Sequence, residues 1–301
     1  MLPGRHPGFT RLLFIPGLLL SLGACSNLFF VPMQTLLRSP DELGLDFENV
    51  FIESSDGVRL YAWFLPTEET PRGTILFLHG NAENISTHIG SVYWLPSRGY
   101  NVLLLDYRGY GLSGGEPSLQ GATDDVQAAL HWLLDHPHLD HNKIIVLGQS
   151  LGGDLGVVAI DRAGLAPRIR ALILDSAFSD YRLIAREKLA DFWLTWPLQY
   201  PLSWLISDHH VPEEAIARIS PTPVLIIHGQ ADVIVPPHHA ERLYRAAQKP
   251  KALWIVPDTG HIGALTRPEI RDQLVDYLDQ VLGHAKPSAR AELTPIANTD
   301  R

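Results

Sequence analysis

The stretch KIIVLGQSLGG, residues 143–153, indicates the fold of this chain more strongly than any other segment. Its apolar, β-branched start is typical of a buried strand, and a helical pattern continues to about Ala163. Between them lies Gly-x-Ser-x-Gly, where the turn at Ser150 is so sharp that its neighbours Gly148 and Gly152 have to be small. The stretch therefore predicts a strand, a tight turn and a helix, with the Ser150 hydroxyl exposed as a candidate nucleophile beside the helix amides.

A serine hydroxyl is a weak nucleophile at neutral pH, so a base has to take its proton. His261 is the candidate base, because it follows a glycine in a loop after the last apolar run. Asp232 comes just after the preceding run and is the candidate for the group that orients the imidazole. The chain order Ser150, Asp232, His261 distinguishes one fold of serine hydrolases from the others. Asp175, at the end of the run after the nucleophile helix, remains the alternative acid.

A negative charge that develops on a carbonyl oxygen needs backbone N–H donors aimed at it. Leu151 supplies one N–H because it directly follows the serine. The second is expected from the loop His79-Gly80-Asn81, which follows an apolar run, and the amide of Asn81 is the predicted donor.

Short apolar runs alternate with helical patterns from about residue 48 to residue 285. The predicted strands are Val58–Pro66, Gly73–Gly80, Tyr100–Tyr107, Lys143–Gly148, Ile169–Asp175, Thr222–Gly229 and Lys251–Pro257. The predicted helices are Gly121–Leu134, Gly153–Ala163, Pro237–Ala247 and Pro268–Leu282. Alternation with continuous apolar strands predicts an α/β fold, a mostly parallel sheet flanked by helices, in one domain over residues 45–285.

One long connection, at about residues 178–220, interrupts the alternation before the strand that carries Asp232. Such a connection predicts a small helical cap. It contains large aromatic residues interleaved with prolines: Phe192, Trp193, Trp196, Tyr200 and Trp204. These side chains either form the core of a helical hairpin or line an apolar pocket as a lid, and the sequence leaves both interpretations open.

The N-terminus differs from the rest of the chain. Residues 1–24 contain no acid, carry two arginines and include an apolar stretch at 12–22, which is too short for a membrane span and predicts a signal peptide. The stretch ends at Cys25, the only cysteine, and its small preceding residues resemble the lipobox of bacterial lipoproteins. That resemblance implies a lipid on Cys25 and a lipidated linker over residues 25–44. An ordinary signal peptide or a short anchor helix is the alternative.

Charge and composition exclude other classes of function. The net charge is −9, and loss of two arginines with residues 1–24 would leave 22 basic against 33 acidic residues, or −11. We therefore expect no nucleic-acid partner. Residues 286–301 are polar without apolar periodicity and are predicted to be a disordered tail.

Two further motifs suggest other kinds of site. Gly-x-Gly-x-x-Gly at residues 109–114 would suggest dinucleotide binding, but Gly115 and a proline follow where a phosphate-binding helix should begin. Asp208-His209-His210 and the pair His238-His239 are interpreted as solvated loops, because adjacent side chains do not converge on one ion in regular structure. No metal and no cofactor are expected.

Five motifs together resemble the α/β-hydrolase superfamily, over about residues 48–284. They are His79-Gly80-Asn81, Asp106–Ser113, Gly148–Gly152, His228–Asp232 and Gly260-His261. Within that superfamily the chain resembles the serine-hydrolase subgroup with the bacterial serine-aminopeptidase-like and lysophospholipase-like hydrolases and the eukaryotic protein depalmitoylases.

The resemblance implies a serine hydrolase that cleaves carboxylic esters, or thioesters, through an acyl-serine intermediate. A peptidase or amidase of the same fold is the alternative, and a non-catalytic envelope binding module is the third hypothesis. The expected partners are a small or lipid-like acyl substrate and, through the lipid, a membrane of the bacterial cell envelope. Ser26 in place of an aspartate after Cys25 favours the outer membrane.

Overall fold

The computed structural model describes residues 29–206 and 210–284. Within these ranges the strands are β1 (Val31–Pro32), β2 (Glu48–Glu53), β3 (Arg59–Leu65), β4 (Gly73–Leu78), β5 (Ala82–Glu83), β6 (Tyr100–Asp106), β7 (Ile144–Gln149), β8 (Ala171–Asp175), β9 (Val224–Gly229) and β10 (Lys251–Val256). The α-helices are α1 (Ile85–His88), α2 (Leu119–Asp135), α3 (Leu151–Arg162), α4 (Tyr181–Ala190), α5 (Gln199–Ser203), α6 (Pro212–Ile216), α7 (His238–Ala246) and α8 (Pro268–Leu282).

Eight strands form one sheet in the order β10-β9-β8-β7-β4-β6-β3-β2. All neighbours pair in parallel except at one edge, where β3 is antiparallel to both β2 and β6. The α/β-hydrolase fold predicted from the sequence is confirmed, with its mostly parallel sheet and flanking helices. Because the parallel strands run the same way, the loops after β4, β7, β9 and β10 meet at one edge of the sheet.

Both faces of the sheet are covered, and β4 shows why its sequence is continuously apolar. Leu76 and Leu78 belong to a core cluster that includes apolar residues of α2, α3 and α7. Ile75 and Phe77 point to the opposite face and join the cluster that includes residues of α8. Successive side chains alternate between faces, so a strand buried on both faces has apolar residues at every position.

The strand β2 was not predicted. Its burial alternates, with Val50 and Ile52 buried and glutamates at both ends, which is the pattern of an edge strand with one solvated face. A turn at Gly57, where φ is +82°, connects β2 to β3.

The loop with Gly-x-Gly-x-x-Gly is a structural turn. Ser113 Oγ accepts the N–H of Tyr61 at 2.8 Å and donates to the carbonyl of Asp106 at 2.7 Å, which joins β3 to the end of β6. The next helix, α2, begins only at Leu119 and is capped by Ser118. The glycines therefore do not open a phosphate-binding helix.

Residues 29–44, which belong to the predicted linker, contact the hydrolase domain at several points. Phe30 is buried, and β1 pairs in parallel with β5 in the loop that follows β4. The Phe29 ring lies 5.0 Å from the Tyr181 ring, edge to face, at the start of α4. This segment, residues 29–37, is called the N-terminal arm below. Cys25 and the residues before it lie outside the described ranges, as do residues 286–301.

Helices α4, α5 and α6 lie in the predicted cap region. The aromatic residues of this region follow neither interpretation drawn from the sequence, because Trp193 is 77% exposed and Trp204 is 68% exposed. In the described ranges, no helix combines the length and the apolar content that crossing a bilayer requires.

Candidate active site

Ser150 lies on a strained turn between β7 and α3. Its φ of 51° and ψ of −124° are unfavourable for a residue with a side chain, and its N–H donates to the carbonyl of Asp175 at 2.8 Å. Such strain persists only where the surrounding structure over-determines the backbone. The turn therefore aims the hydroxyl away from the sheet, into the cavity described below.

The two glycines beside Ser150 are required by packing. A Cβ on Gly148 would lie 2.5 Å from the Cα of Gly153. A Cβ on Gly152 would collide with the carbonyl oxygens of Leu78 and His79 at the end of β4. The helix α3 can approach β4 this closely only because these positions lack side chains.

Asp232 and His261 come from the loops after β9 and β10 and form a hydrogen bond. The distance from His261 Nδ1 to Asp232 Oδ2 is 2.8 Å, and Asp232 Oδ1 accepts the N–H groups of Ile234 and Val235 at 2.9 Å each. Burial alone would raise the pKa of Asp232, but the bonds from His261 and Val235 outweigh it and hold that pKa below its usual value. The carboxylate is therefore ionised at neutral pH.

Ser150 and His261 open into the same cavity, which has a volume of about 590 Å³. Because Asp232 binds Nδ1, the Nε2 atom of His261 is the ring nitrogen left to accept a proton. Away from these polar groups the cavity is lined by apolar side chains, among them Phe29, Phe178, Ile184, Leu189, Leu202 and Ile206. The arrangement thus places a polar, reactive end beside a space suited to an apolar chain.

The two predicted oxyanion donors border this cavity. Leu151 is the first residue of α3, so its N–H has no carbonyl acceptor one turn back in the helix. Asn81 is held through its carbonyl, which belongs to the peptide after the predicted N–H donor and accepts the N–H of Val31 at 2.9 Å and the hydroxyl of Tyr110 at 2.6 Å. The N-terminal arm therefore holds the loop that carries the second predicted donor.

His88 also borders the cavity, on the side of this loop. Burial and the nearby His79 lower the pKa of His88 to about 4, so the ring is neutral at pH 7. Its Nε2 lies 3.1 Å from the carbonyl of Ala82, which gives that buried oxygen a donor. The sequence analysis did not single out His88.

Asp175, the alternative acid, forms its hydrogen bonds with residues other than His261. It is buried and accepts from Gln149 Nε2 at 2.8 Å and from Ser176 Oγ at 3.3 Å. Burial raises its pKa to about 6. Of the two aspartates considered, Asp232 is the one within hydrogen-bonding distance of His261.

Two residues that the sequence analysis missed connect Asp175 to the histidine loop. Ser176 Oγ accepts, at 3.0 Å, the N–H of Ile262, the residue that directly follows His261. Ser176 and Ile262 have φ values of 57° and 48°, and a positive φ is a clear outlier for a β-branched residue. Nothing in the sequence signals these conformations, which the packing of the two loops imposes.

The histidine pair at 238–239 does converge with a third group, so the prediction that it would not was wrong. Both rings reach Glu187 of α4, at 2.9 Å for His238 and 3.0 Å for His239, and the three donor atoms lie within 4.8 Å of one another. However, His239 Nδ1 accepts the N–H of Ser179 at 3.1 Å, so the proton of the neutral ring is on Nε2 and points at Glu187. That tautomer leaves no lone pair for a metal at Nε2. Of the other group, residues 208–210, Asp208 and His209 lie outside the described residues.

Known proteins with similar sequences cover most of this chain. The protein YfhR of Escherichia coli is 36% identical over 259 residues, which cover 84% of this chain and 86% of YfhR. The α/β-hydrolase domain-containing protein WAV2 of Arabidopsis thaliana is 35% identical over 257 residues, covering 80% of this chain and 82% of WAV2.

Solved structures share the fold at lower identity. The Pyrococcus furiosus esterase Pf2001 matches with a TM-score of 0.67 and 22% identity, covering 85% of this chain and 97% of that chain. Acetyl xylan esterase 1 from a Thermoanaerobacterium species matches with a TM-score of 0.59 and 19% identity, covering 87% and 98%. The model of the Peptidase_S9 or prolyl oligopeptidase family matches residues 86–285, more than half of the chain. The chain therefore belongs to the prolyl oligopeptidase family, with the fold of the α/β-hydrolases.

Proposed function

We propose that this protein is a serine hydrolase that cleaves carboxylic esters through an acyl intermediate on Ser150. The observation that carries the proposal is the Asp232–His261 hydrogen bond at 2.8 Å beside a cavity that also exposes Ser150. In the first step His261 Nε2 takes the proton from Ser150 Oγ as the oxygen attacks the carbonyl carbon. His261 then gives that proton to the leaving oxygen, and the alcohol departs.

The tetrahedral intermediate carries a negative charge on the former carbonyl oxygen. The N–H groups of Asn81 and Leu151 stabilise this charge, each by about 2.7–4 kcal/mol in proteins where such a donor has been removed. Water then attacks the acyl-serine with His261 as the base, and the acid product leaves. Asp232 stays ionised throughout and holds the imidazole in the required tautomer.

The apolar lining supports an ester with an apolar acyl chain of short to medium length. A cavity of about 590 Å³ lined by side chains such as Phe178 and Ile206 favours hydrocarbon over charged groups. A thioester has the same acyl half and would use the same steps. The resemblance to lysophospholipase-like hydrolases agrees with this substrate class.

Peptidase activity is the second candidate, and one side chain favours it. Glu83 lines the cavity near the oxyanion loop, and a carboxylate there would bind the ammonium group of a peptide N-terminus. The family description and the resemblance to serine aminopeptidases point the same way. Amide cleavage would need His261 to protonate a poorer leaving group.

Two measurements on purified protein separate these candidates. A fluorophosphonate probe should label the wild type, fail on Ser150→Ala, and label the matched control Ser97→Ala, whose hydroxyl bonds the Trp94 carbonyl instead. Turnover of p-nitrophenyl esters of rising chain length is then compared with aminoacyl amides. Ester turnover that persists near the wild-type rate in Ser150→Ala and His261→Ala would reject the mechanism. Folded protein that the probe never labels would indicate a non-catalytic binding module.

We also propose that the mature chain is anchored by lipid on Cys25 in a bacterial envelope, with Ser26 favouring the outer membrane. The support is the sequence of residues 1–25, which lie outside the described ranges. Labelling with radioactive palmitate should reach the wild type and be lost in Cys25→Ser. Label that survives in Cys25→Ser would place the anchor elsewhere.

A further inference from the structure

The cap region presents a large apolar surface to solvent. The cap surface is defined here by six exposed residues between α4 and α6: Trp193, Leu194, Trp196, Leu198, Tyr200 and Trp204. Trp193 is 77% exposed and Trp196 is 59% exposed. Large exposed apolar patches are uncommon on soluble monomers and mark sites of interaction.

The composition of this segment favours a lipid surface as the partner. Residues 192–206 contain no charged residue, although the whole chain has a net charge of −9. Tryptophan and tyrosine concentrate where hydrocarbon meets water, since their rings are apolar and their N–H or O–H groups still bind water. Three of the seven tryptophans of the chain lie in this short segment.

The cap surface adjoins the cavity that holds Ser150 through α5, which carries both Tyr200 and Leu202. Leu202 and Ile234 line the cavity, and both are also exposed, at 39% and 53%. Beside Ile234, Val233 is 81% exposed, and its carbonyl accepts a bond from Lys188 of α4 at 3.0 Å. An apolar path therefore runs from the cap surface, across these side chains, to the reactive end of the cavity.

The start of the described chain lies at the same cavity. Phe29 lines it, and Cys25 is only four residues earlier. Four extended residues span at most about 14 Å, so a lipid on Cys25 would enter the bilayer close to the cavity mouth. This step rests on the proposed lipid anchor, which is the part of the proposed function that it uses.

We propose that the cap surface docks on the bilayer interface, so that an ester held in the membrane passes along Leu202 and Ile234 to Ser150. The occupant of the surface is the lipid bilayer, and the substrate class is a membrane-held ester with an apolar acyl chain. Because the six side chains of the cap surface carry no charge, docking depends mainly on apolar burial and should resist added salt.

The first test measures contact between the tryptophans of the cap surface and lipid. Full-length protein is placed on phosphatidylcholine vesicles whose acyl chains carry bromine, which quenches nearby indoles. Wild-type fluorescence should be quenched, and the variant with Trp193→Phe, Trp196→Phe and Trp204→Phe should lose that quenched component. The matched control Trp254→Phe removes a half-buried indole of β10 and should leave the quenching unchanged.

The second test measures whether a membrane-held ester reaches Ser150 across the cap surface. The variant with Trp193→Ser, Trp196→Ser and Trp204→Ser should hydrolyse a long-chain ester in vesicles at least about tenfold more slowly, from the apolar burial lost. None of these residues lines the cavity, so its turnover of a soluble short-chain ester should equal that of the wild type. The matched control Phe51→Ser changes an exposed apolar residue on the edge strand β2 and should behave as wild type in both assays.

Several outcomes would overturn the proposal. Wild-type fluorescence that brominated lipid leaves unquenched would show that lipid does not contact the cap surface, and cross-linking between two caps would then identify a second copy as its occupant. Equal vesicle turnover in the serine variant would exclude the path. Failure of the wild type on the soluble ester would instead refute the esterase proposal, while the quenching result would still decide whether the surface docks.

Discussion

Replacing Asp232 by asparagine should remove most of the activity and keep the fold. The side-chain oxygen of an asparagine can still accept the N–H groups of Ile234 and Val235, which Asp232 Oδ1 accepts at 2.9 Å each. Its NH₂ group then occupies the place of Oδ2, 2.8 Å from His261 Nδ1. Because NH₂ only donates there, Nδ1 has to become the acceptor and the ring proton moves to Nε2. The imidazole then presents a proton to Ser150 where a lone pair is needed.

The size of the effect follows from that tautomer. In serine hydrolases where the same exchange has been made, kcat falls about ten-thousandfold, or about 5.4 kcal/mol of activation free energy. The loss should appear in kcat, since the cavity that binds the acyl chain is unchanged. The Asp232 carboxylate also stabilises the imidazolium formed in the transition state, and the neutral amide does not.

The assay is steady-state turnover of a p-nitrophenyl ester, with thermal unfolding of each variant to establish folding. The matched control is Asp175→Asn, which neutralises a second buried aspartate that bonds Gln149 and Ser176 but not His261. We expect the control to keep activity within about tenfold of the wild type, since it leaves the His261 tautomer unchanged. A folded Asp232→Asn variant with near wild-type kcat, beside an inactive Asp175→Asn variant, would refute the assignment and identify Asp175 as the acid.

Three further predictions concern stability. Gly152→Ala should unfold at much lower denaturant concentration than the wild type, because its Cβ would overlap backbone carbonyls at the end of β4. An unchanged unfolding midpoint would show that α3 can move away from β4. The pKa of Asp175, raised from 3.8 to about 6, means that the folded state holds a proton longer than the unfolded state. As the pH rises from below 3.8 to above 6, the wild type should therefore lose about 3 kcal/mol of unfolding free energy relative to Asp175→Asn, which pH-dependent denaturant titrations would measure. Arg108→Ala should cost about 3–5 kcal/mol in the same titrations, since it leaves buried Asp125 without its partner at 2.7 Å, and a cost below about 1 kcal/mol would contradict this.

Much of the fold could be predicted because its signals are local. The turn at Ser150 requires small residues beside it, and the glycines at positions 148 and 152 make this requirement visible in the sequence. Apolar runs separated by helical patterns mark strands buried on both faces, and the helix α8 was predicted with its observed ends. The positions of Asp232 and His261 after consecutive strands followed from the same periodicity.

The features that the sequence did not reveal depend on contacts between distant segments. The strand β1 is two residues long, and its pairing with β5 joins positions about fifty residues apart. No local sequence pattern therefore predicts this strand. The exposure of the aromatic cap residues was not predicted, because large apolar side chains are usually buried, and both interpretations drawn from the sequence placed them against a core or a pocket. Periodicity cannot distinguish an apolar face that packs inward from one that faces an external partner.

The N-terminal arm connects two properties that the sequence suggested separately. The N–H of Val31 bonds the carbonyl of Asn81, which fixes the peptide that directly follows the assigned N–H donor. The arm thereby restricts the loop whose N–H group we assign to the oxyanion hole, and Tyr110 holds the same carbonyl at 2.6 Å. If Cys25 carries the lipid, the segment that tethers the protein is continuous with the segment that orders its active-site loop. Detaching β1 from β5 should then lower kcat on soluble esters, even with the lipid and the cap surface intact.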